Sequence, residues 1–268
     1  MDKVIKPASI SFFKKFSGFV HGFSPRYFET REGNKNDLRP GRNDDPNCIK
    51  EHRQWFLQTL GLDTDQVFLL KQVHGARVYV LDDPEKSAAD VARVEADAIV
   101  SHLEGKPLGI LTADCIPVVL FDPVRNIAGA IHAGRKGIEK RILSRTLETL
   151  REVYGCRARD ILLGMGPGIG GCCYEVDEPC IEPFRQAYPE WKRFVKISPG
   201  NKYWMDLFTA NEQDAKDAGI PLKNIFRLGE CTSCSNHRWY SYRREGETGR
   251  LMTIAMLGQK TDSKRGKI

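Results

Sequence analysis

The sequence predicts a single α/β domain, and three observations carry that prediction. Strand-like and helix-like segments alternate along the whole chain instead of collecting in two halves. No repeat or low-complexity linker divides the 268 residues, a length that one large core accommodates. Hydrophobic residues make up 41% and charged residues 28%, the balance of an ordinary globular chain.

Helices announce themselves by their punctuation. Asp45-Pro46 offers an N-cap and an N1 proline for a helix running through Ile49, Trp55, Phe56 and Leu60 to Gly61. A second helix is expected from about Gly137 to Tyr154, with Ile138, Ile142, Leu143, Leu147 and Leu150 on one face and Gly155 as its stop. A third starts near Asp206 and ends at Gly219, with Pro221 beyond it. Strand patterns occupy 66–73, 77–81, 98–101, 108–111, 118–121, 127–131, 161–165 and 251–257. The polar stretch from Gly22 to Asn47 reads as a long loop, and 259–268 as a solvated tail.

Composition narrows the function. No apolar run reaches membrane-spanning length, and the segment Met1 to Val20 lacks the continuous apolar core of a secretion signal. Eight cysteines in so long a chain are too sparse for a disulfide scaffold and point to thiols or ligands in a reducing compartment, so a cytoplasmic protein is expected. The net charge of +6 suits an anionic substrate, but no basic stripe interleaved with aromatics marks a nucleic-acid surface.

Residues of metal-ligand type stand where apolar runs end. His74 follows Val67-Phe68-Leu69-Leu70, Cys115 follows Ile110-Leu111-Thr112-Ala113-Asp114, and His132 follows Ile127-Ala128-Gly129-Ala130-Ile131. Two imidazoles and a thiolate suit zinc and leave a fourth position open; a metal-free alternative makes Cys115 a nucleophile with a histidine as its base. Next to His132, Arg135 and Lys136 open a helix whose free N–H groups favour an anion, or form a solvated first turn.

Two other motifs are set aside. The stretch 166–171 spells G-x-G-x-x-G after a strand, but Cys172-Cys173-Tyr174-Glu175-Val176 does not open the helix that a dinucleotide requires. Cys231-Thr232-Ser233-Cys234 is a C-x-x-C without a properly spaced second pair, Cys172-Cys173 being a poor substitute; a structural zinc is the alternative there, and inert thiols are expected.

Taken in order, Lys71-Gln72-Val73-His74-Gly75, Leu111-Thr112-Ala113-Asp114-Cys115, Ile131-His132-Ala133-Gly134, the stretch from Gly166 to Val176, Asp206-Leu207 ahead of Ala210-Asn211, and Cys231-Thr232 with Ser241-Tyr242-Arg243-Arg244 resemble the YfiH family. This is the laccase-like, multicopper polyphenol oxidase family, which includes purine nucleoside phosphorylases related to FAMIN. The match runs from about Gly22 to Leu257. The resemblance implies one domain of packed mixed β-sheets flanked by helices, with zinc held by His74, Cys115 and His132, a donor set that also takes copper. It implies purine nucleoside and phosphate as substrates: phosphorolysis of adenosine, inosine and methylthioadenosine, and deamination of adenosine. Editing of peptidoglycan precursors is a second implication. Copper-dependent phenol oxidation is a third, but six histidines in all are few for an electron relay through several coppers. Within this scheme Asp114 is the candidate proton carrier, or an acceptor fixing the strand end, and Arg26, Arg135 and Arg243 are candidates for holding phosphate. The chain departs from the family at Arg135, where tryptophan is usual, at Gly168, where cysteine is frequent, and at Pro25 in the N-terminal loop.

Overall fold

The computed structural model describes residues 6–27, 46–200 and 202–258. In chain order it forms β1 (Phe19–Phe23), α1 (Pro46–Thr59), β2 (Phe68–Leu69), β3 (Val78–Leu81), α2 (Ala88–Val91), β4 (Ala98–Ser101) and β5 (Leu108–Thr112). There follow β6 (Ile116–Asp122), β7 (Ile127–Ala133), α3 (Arg135–Glu139), α4 (Ile142–Tyr154), β8 (Leu162–Met165), β9 (Glu175–Asp177) and α5 (Glu178–Ala187). The remainder is β10 (Val195–Ser198), β11 (Lys202–Met205), α6 (Leu207–Asp217), β12 (Ile225–Arg227), α7 (Tyr242–Glu245) and β13 (Leu251–Leu257).

Two sheets carry the architecture: a four-stranded one ordered β1-β13-β5-β2 and a six-stranded one ordered β12-β8-β6-β7-β4-β3. Side-chain alternation stacks them into four layers. On β6, Val118 and Leu120 join Leu143 and Leu147 of α4 and Phe208 of α6, whereas Val119 and Phe121 join Leu108 and Ile110 of β5. On β13, Leu251 and Ala255 face that same interface, and Met252, Ile254 and Met256 face Phe56 and Leu57 of α1. The order is therefore α1, four-stranded sheet, six-stranded sheet, α4 with α6. Covered on both faces, β6, β7 and β13 are buried at every position, which is why they read as unbroken apolar runs.

Several expectations change. The helix expected over 137–154 is two helices, because Arg141 takes the left-handed conformation at φ 63°. Its guanidinium pairs with Asp217 at 2.6 Å and lies 3.7 Å from the centre of the Tyr188 ring. Buried Asp214 of α6 then accepts the N–H of Leu143 at 3.0 Å and caps the new helix start. The expected strand 66–73 shortens to Phe68–Leu69, with an isolated bridge from Lys71 to Glu95 beyond it. Gly22 and Phe23 belong to β1, not to a loop, while 28–45, including the Asp45 cap, lie outside the described residues, as does the tail 259–268. Asp206 caps α6 as expected, accepting from the N–H groups of Phe208 and Thr209. Among the described residues no helix is long and apolar enough to cross a membrane.

Candidate metal centre

The chain crosses between the two sheets twice near one point, and each crossing carries a ligand-type residue. Between β2 and β3 stands His74, in the left-handed region at φ 56°. Between β5 and β6 stands Cys115, directly after Asp114, whose φ is 91°. The third residue, His132, lies near the end of β7 opposite Pro117. Donor atoms of the three lie within 4.8 Å of one another, and the two imidazoles meet edge to face at 4.8 Å between centres.

One carboxylate that the sequence reading missed organises both histidines. Asp97, fully buried just before β4, accepts the N–H of His74 at 3.0 Å and of Gly75 at 2.7 Å. Its Oδ1 also lies 2.7 Å from Nδ1 of His132. That bond fixes the imidazole orientation and leaves Nε2 for a metal. An acid at the head of a buried strand was the available signal. Gln72 acts similarly on the second crossing: its amide bonds both the N–H and the carbonyl of Leu111 at 2.8 Å, replacing the strand pairing that β2 abandons. Gly134 keeps the meeting point open, since a Cβ there would sit 2.9 Å from Cys115 Sγ and 3.6 Å from His132 Nε2.

Electrostatics follow from this packing. Burial opposes the Cys115 thiolate, but the adjoining His132 and His74 outweigh it and bring the thiol down to about 6. Burial likewise opposes His132 protonation, and Cys115 and Asp97 outweigh it, raising the imidazole to about 9. Asp97 stays below the usual carboxylate range despite burial, because His132 and the amides of Gly75 and Val73 donate to it. A divalent cation would satisfy the thiolate as the imidazolium does here, and the donor set suits zinc. His21 is the contrast: buried among Phe13, Phe19 and Phe23, it accepts the Ile10 N–H at 2.8 Å and is depressed by burial and by Lys14 to about 4. It is a neutral core histidine.

The three donors open into a cavity of about 780 Å³, within the size range of small-molecule sites. Arg135, Lys136, Arg243 and Arg250 line it, with the rings of Tyr174 and Tyr242. Arg135 opens α3 and reaches Glu139 at 3.3 Å; Arg243 donates to the Glu175 carbonyl at 2.7 Å with its guanidinium 4.9 Å from the Tyr174 ring centre. Because α3 has five residues and not the eighteen expected over 137–154, the anion-favouring helix dipole is weak there, and positive charge comes from side chains. Asp114 also lines the cavity, but its oxygens accept from Thr232 Oγ1 and from the Arg243 N–H, each at 2.6 Å. Arg26 does not reach this cavity; its guanidinium is paired with Glu245 at 2.7 Å and bonded to the Asn236 carbonyl.

The stretch 166–171 leads into a turn and then β9, with no helix directly after it. Its glycines allow close packing: a Cβ at Gly166 would meet Phe23 at 2.2 Å, and one at Gly168 would meet Ile116 at 2.3 Å.

The model of the family described as multi-copper polyphenol oxidoreductase laccase matches residues 19–258. The chain belongs to this family. Of its relatives, a purine nucleoside phosphorylase of Xylella fastidiosa is 33% identical over 215 residues, covering 80% of this chain and 81% of the relative. Adenosine deaminase RL5, from an unknown prokaryotic organism, is 33% identical over 217 residues, covering 78% and 82%. The crystal structure of YfiH from Bacillus licheniformis superposes with a TM-score of 0.85 at 27% identity, covering 94% of this chain and 96% of that one. It has the same mixed α/β architecture. Within the laccase-like family this chain holds, among its described residues, a single metal-capable cluster containing histidine, and it contains two. Several clustered coppers need more imidazoles than that.

Proposed function

We propose that this protein is a zinc-dependent purine nucleoside phosphorylase, acting on adenosine, inosine and methylthioadenosine with phosphate, and that it also deaminates adenosine. The observation that carries the reading is the three-donor cluster at the floor of a cavity lined by four cations and two tyrosine rings. Relatives named for both activities support it.

His74, Cys115 and His132 would hold the ion, which supplies Lewis acidity at the cavity floor. Arg135 and Arg243 hold phosphate, guanidinium forks matching its oxygens, with Lys136 and Arg250 adding charge around them. Tyr174 offers a face for the purine, stiffened by the cation stacked on it. Asp97 positions His132 and the turn bearing His74. Asp114, the sole carboxylic acid among the described lining residues, passes the proton that deamination requires while holding Thr232 and the Arg243 backbone in place.

The test measures phosphate-dependent base release from inosine beside ammonia release from adenosine, on protein with its metal quantified. Base release that needs both phosphate and metal is expected. Metal-replete, folded protein that performs neither reaction would remove the nucleoside reading.

A further inference from the structure

Away from the cavity floor, Cys172, Cys173, Cys231 and Cys234 bring their four sulfurs within 4.8 Å of one another. Cys234 Sγ lies 3.6 Å from Cys172 Sγ and 3.4 Å from Cys173 Sγ, and all four are free thiols. Tetrahedral zinc with sulfurs at about 2.3 Å sets them about 3.8 Å apart, close to this spacing. The chain thus supplies the second pair that the C-x-x-C motif lacks, through a vicinal pair on a distant turn.

The surrounding backbone is arranged for sulfur as a ligand. Gly170 donates its N–H to Cys231 Sγ at 3.2 Å, and the amides of Ser233 and Cys234 point at the same sulfur. Such donors favour the thiolate, the form that binds a metal. Arg244 donates to the carbonyls of Thr232 at 2.7 Å and Ser233 at 2.8 Å, so the C-x-x-C turn is held with its amides inward and a cation beside it. No Cβ fits at Gly170 without coming within 3.2 Å of Cys172 Sγ and 3.5 Å of Cys231 Sγ.

We propose that Cys172, Cys173, Cys231 and Cys234 bind a structural zinc ion, distinct from the ion held by His74, Cys115 and His132. Four protein ligands close the coordination shell, leaving no position for substrate. The ion staples the turn 170–174 to the segment 231–234, adding to the Gly170 N–H bond to Cys231 Sγ and to the neighbouring bridge between Gly168 and Cys231, where the Thr232 N–H donates to the Gly168 carbonyl at 2.9 Å. Each stapled piece serves the cavity: one presents Tyr174 to it, and the other carries Thr232, the partner of Asp114. The proposal does not depend on which substrate the cavity takes.

The test counts and characterises zinc in the full chain, purified under reducing conditions. About two zinc ions per wild-type chain and one in Cys115→Ala are expected. X-ray absorption on Cys115→Ala should show its remaining zinc with sulfur ligands only, at about 2.3 Å. A Cys231→Ser, Cys234→Ser variant should lose one ion and lower the thermal midpoint. If that variant fails to fold, the Cys115→Ala spectrum still decides. One zinc in the wild type and none in Cys115→Ala would overturn the proposal. So would a loss of two thiols from the eight of the unreduced, denatured chain, which would mean a disulfide instead.

Discussion

The cavity-floor cluster and the four-cysteine cluster differ in what holds their ligands. His74, Cys115 and His132 hang from two sheet crossings and the end of a strand, and Asp97 and Gln72 tie the crossings down before any ion arrives. Cys172, Cys173, Cys231 and Cys234 stand on turns outside the sheets, with Cys172 and Cys234 exposed. A site rooted in sheets can keep a coordination position open, because the ion is not needed to shape it. A site made of loops draws its shape from the ion, and gives up the open position to do so.

That contrast can be broken most decisively at Cys115. Cys115→Ala should bring phosphorolysis and deamination to background while leaving the thermal midpoint close to that of the wild type, because the four-cysteine ion stays bound. Unfolding of this variant would show that the open site is also a structural one. Next in size is Asp97. Asp97→Asn removes the charge that orients His132, and metal affinity should fall roughly ten- to a hundredfold, measured by competition with a chelator. Unchanged affinity would show that the sheet crossings alone suffice.

Arg135→Ala tests what faces the open position. Losing one charge-assisted hydrogen bond of about 1.5–3 kcal/mol should raise the phosphate KM roughly ten- to a hundredfold, with deamination nearly unaffected. Equal losses in both reactions would move Arg135 to a role in placing the nucleoside. Asp114→Asn is subtler: the amide can keep both the Thr232 and Arg243 contacts but cannot carry the proton. Deamination should fall and phosphate-saturated base release should persist. If both persist, Asp114 is a positioning residue alone.

The smallest effect is a shift in pH. In metal-stripped protein, alkylation of Cys115 should rise with a midpoint about 6, because His132 and His74 stabilise the thiolate and the thiolate is the reactive form. Asp97→Asn weakens the charge on His132, so the midpoint should move upward, and zinc should suppress the reaction. A wild-type midpoint near the ordinary thiol value of 9.0 would mean that the imidazoles do not support the thiolate.

How much of this was legible depended on range. The eight expected strands occur, though the 66–73 run shortens to two residues, because alternating or continuous apolar pattern is a local signal. Strands β9 to β12 were missed: short and in part exposed, they are specified by partners far along the chain. The break at Arg141 had no glycine or proline to announce it, and comes from Asp214 and Tyr188. The three donor-type residues that the fold brings together were legible because each ends an apolar run, but Asp97 resembles any acid beside a strand until the fold sets it against His132. Arg26 illustrates the converse: its family-like setting suggested phosphate, and the fold spends it on Glu245. The pairing of Cys172-Cys173 with the C-x-x-C was set aside in the sequence because 57 residues of chain, 174–230, separate them and a vicinal pair lacks the usual ligand spacing.

The position of β13 bears on when the three-donor cluster can form. It lies between β1 and β5, so during synthesis both strands emerge long before the neighbour that joins them. Until then β1 has no strand beside it, and β5, from which the Cys115 turn hangs, has only its two-residue pairing with β2. His74, Cys115 and His132 are therefore all translated while the sheet that spaces two of them is half built. Metal loading at this centre is expected to follow the final strand: a chain that stops before Leu251 carries all three donor-type residues, with the β5 turn that bears Cys115 unsupported on one side.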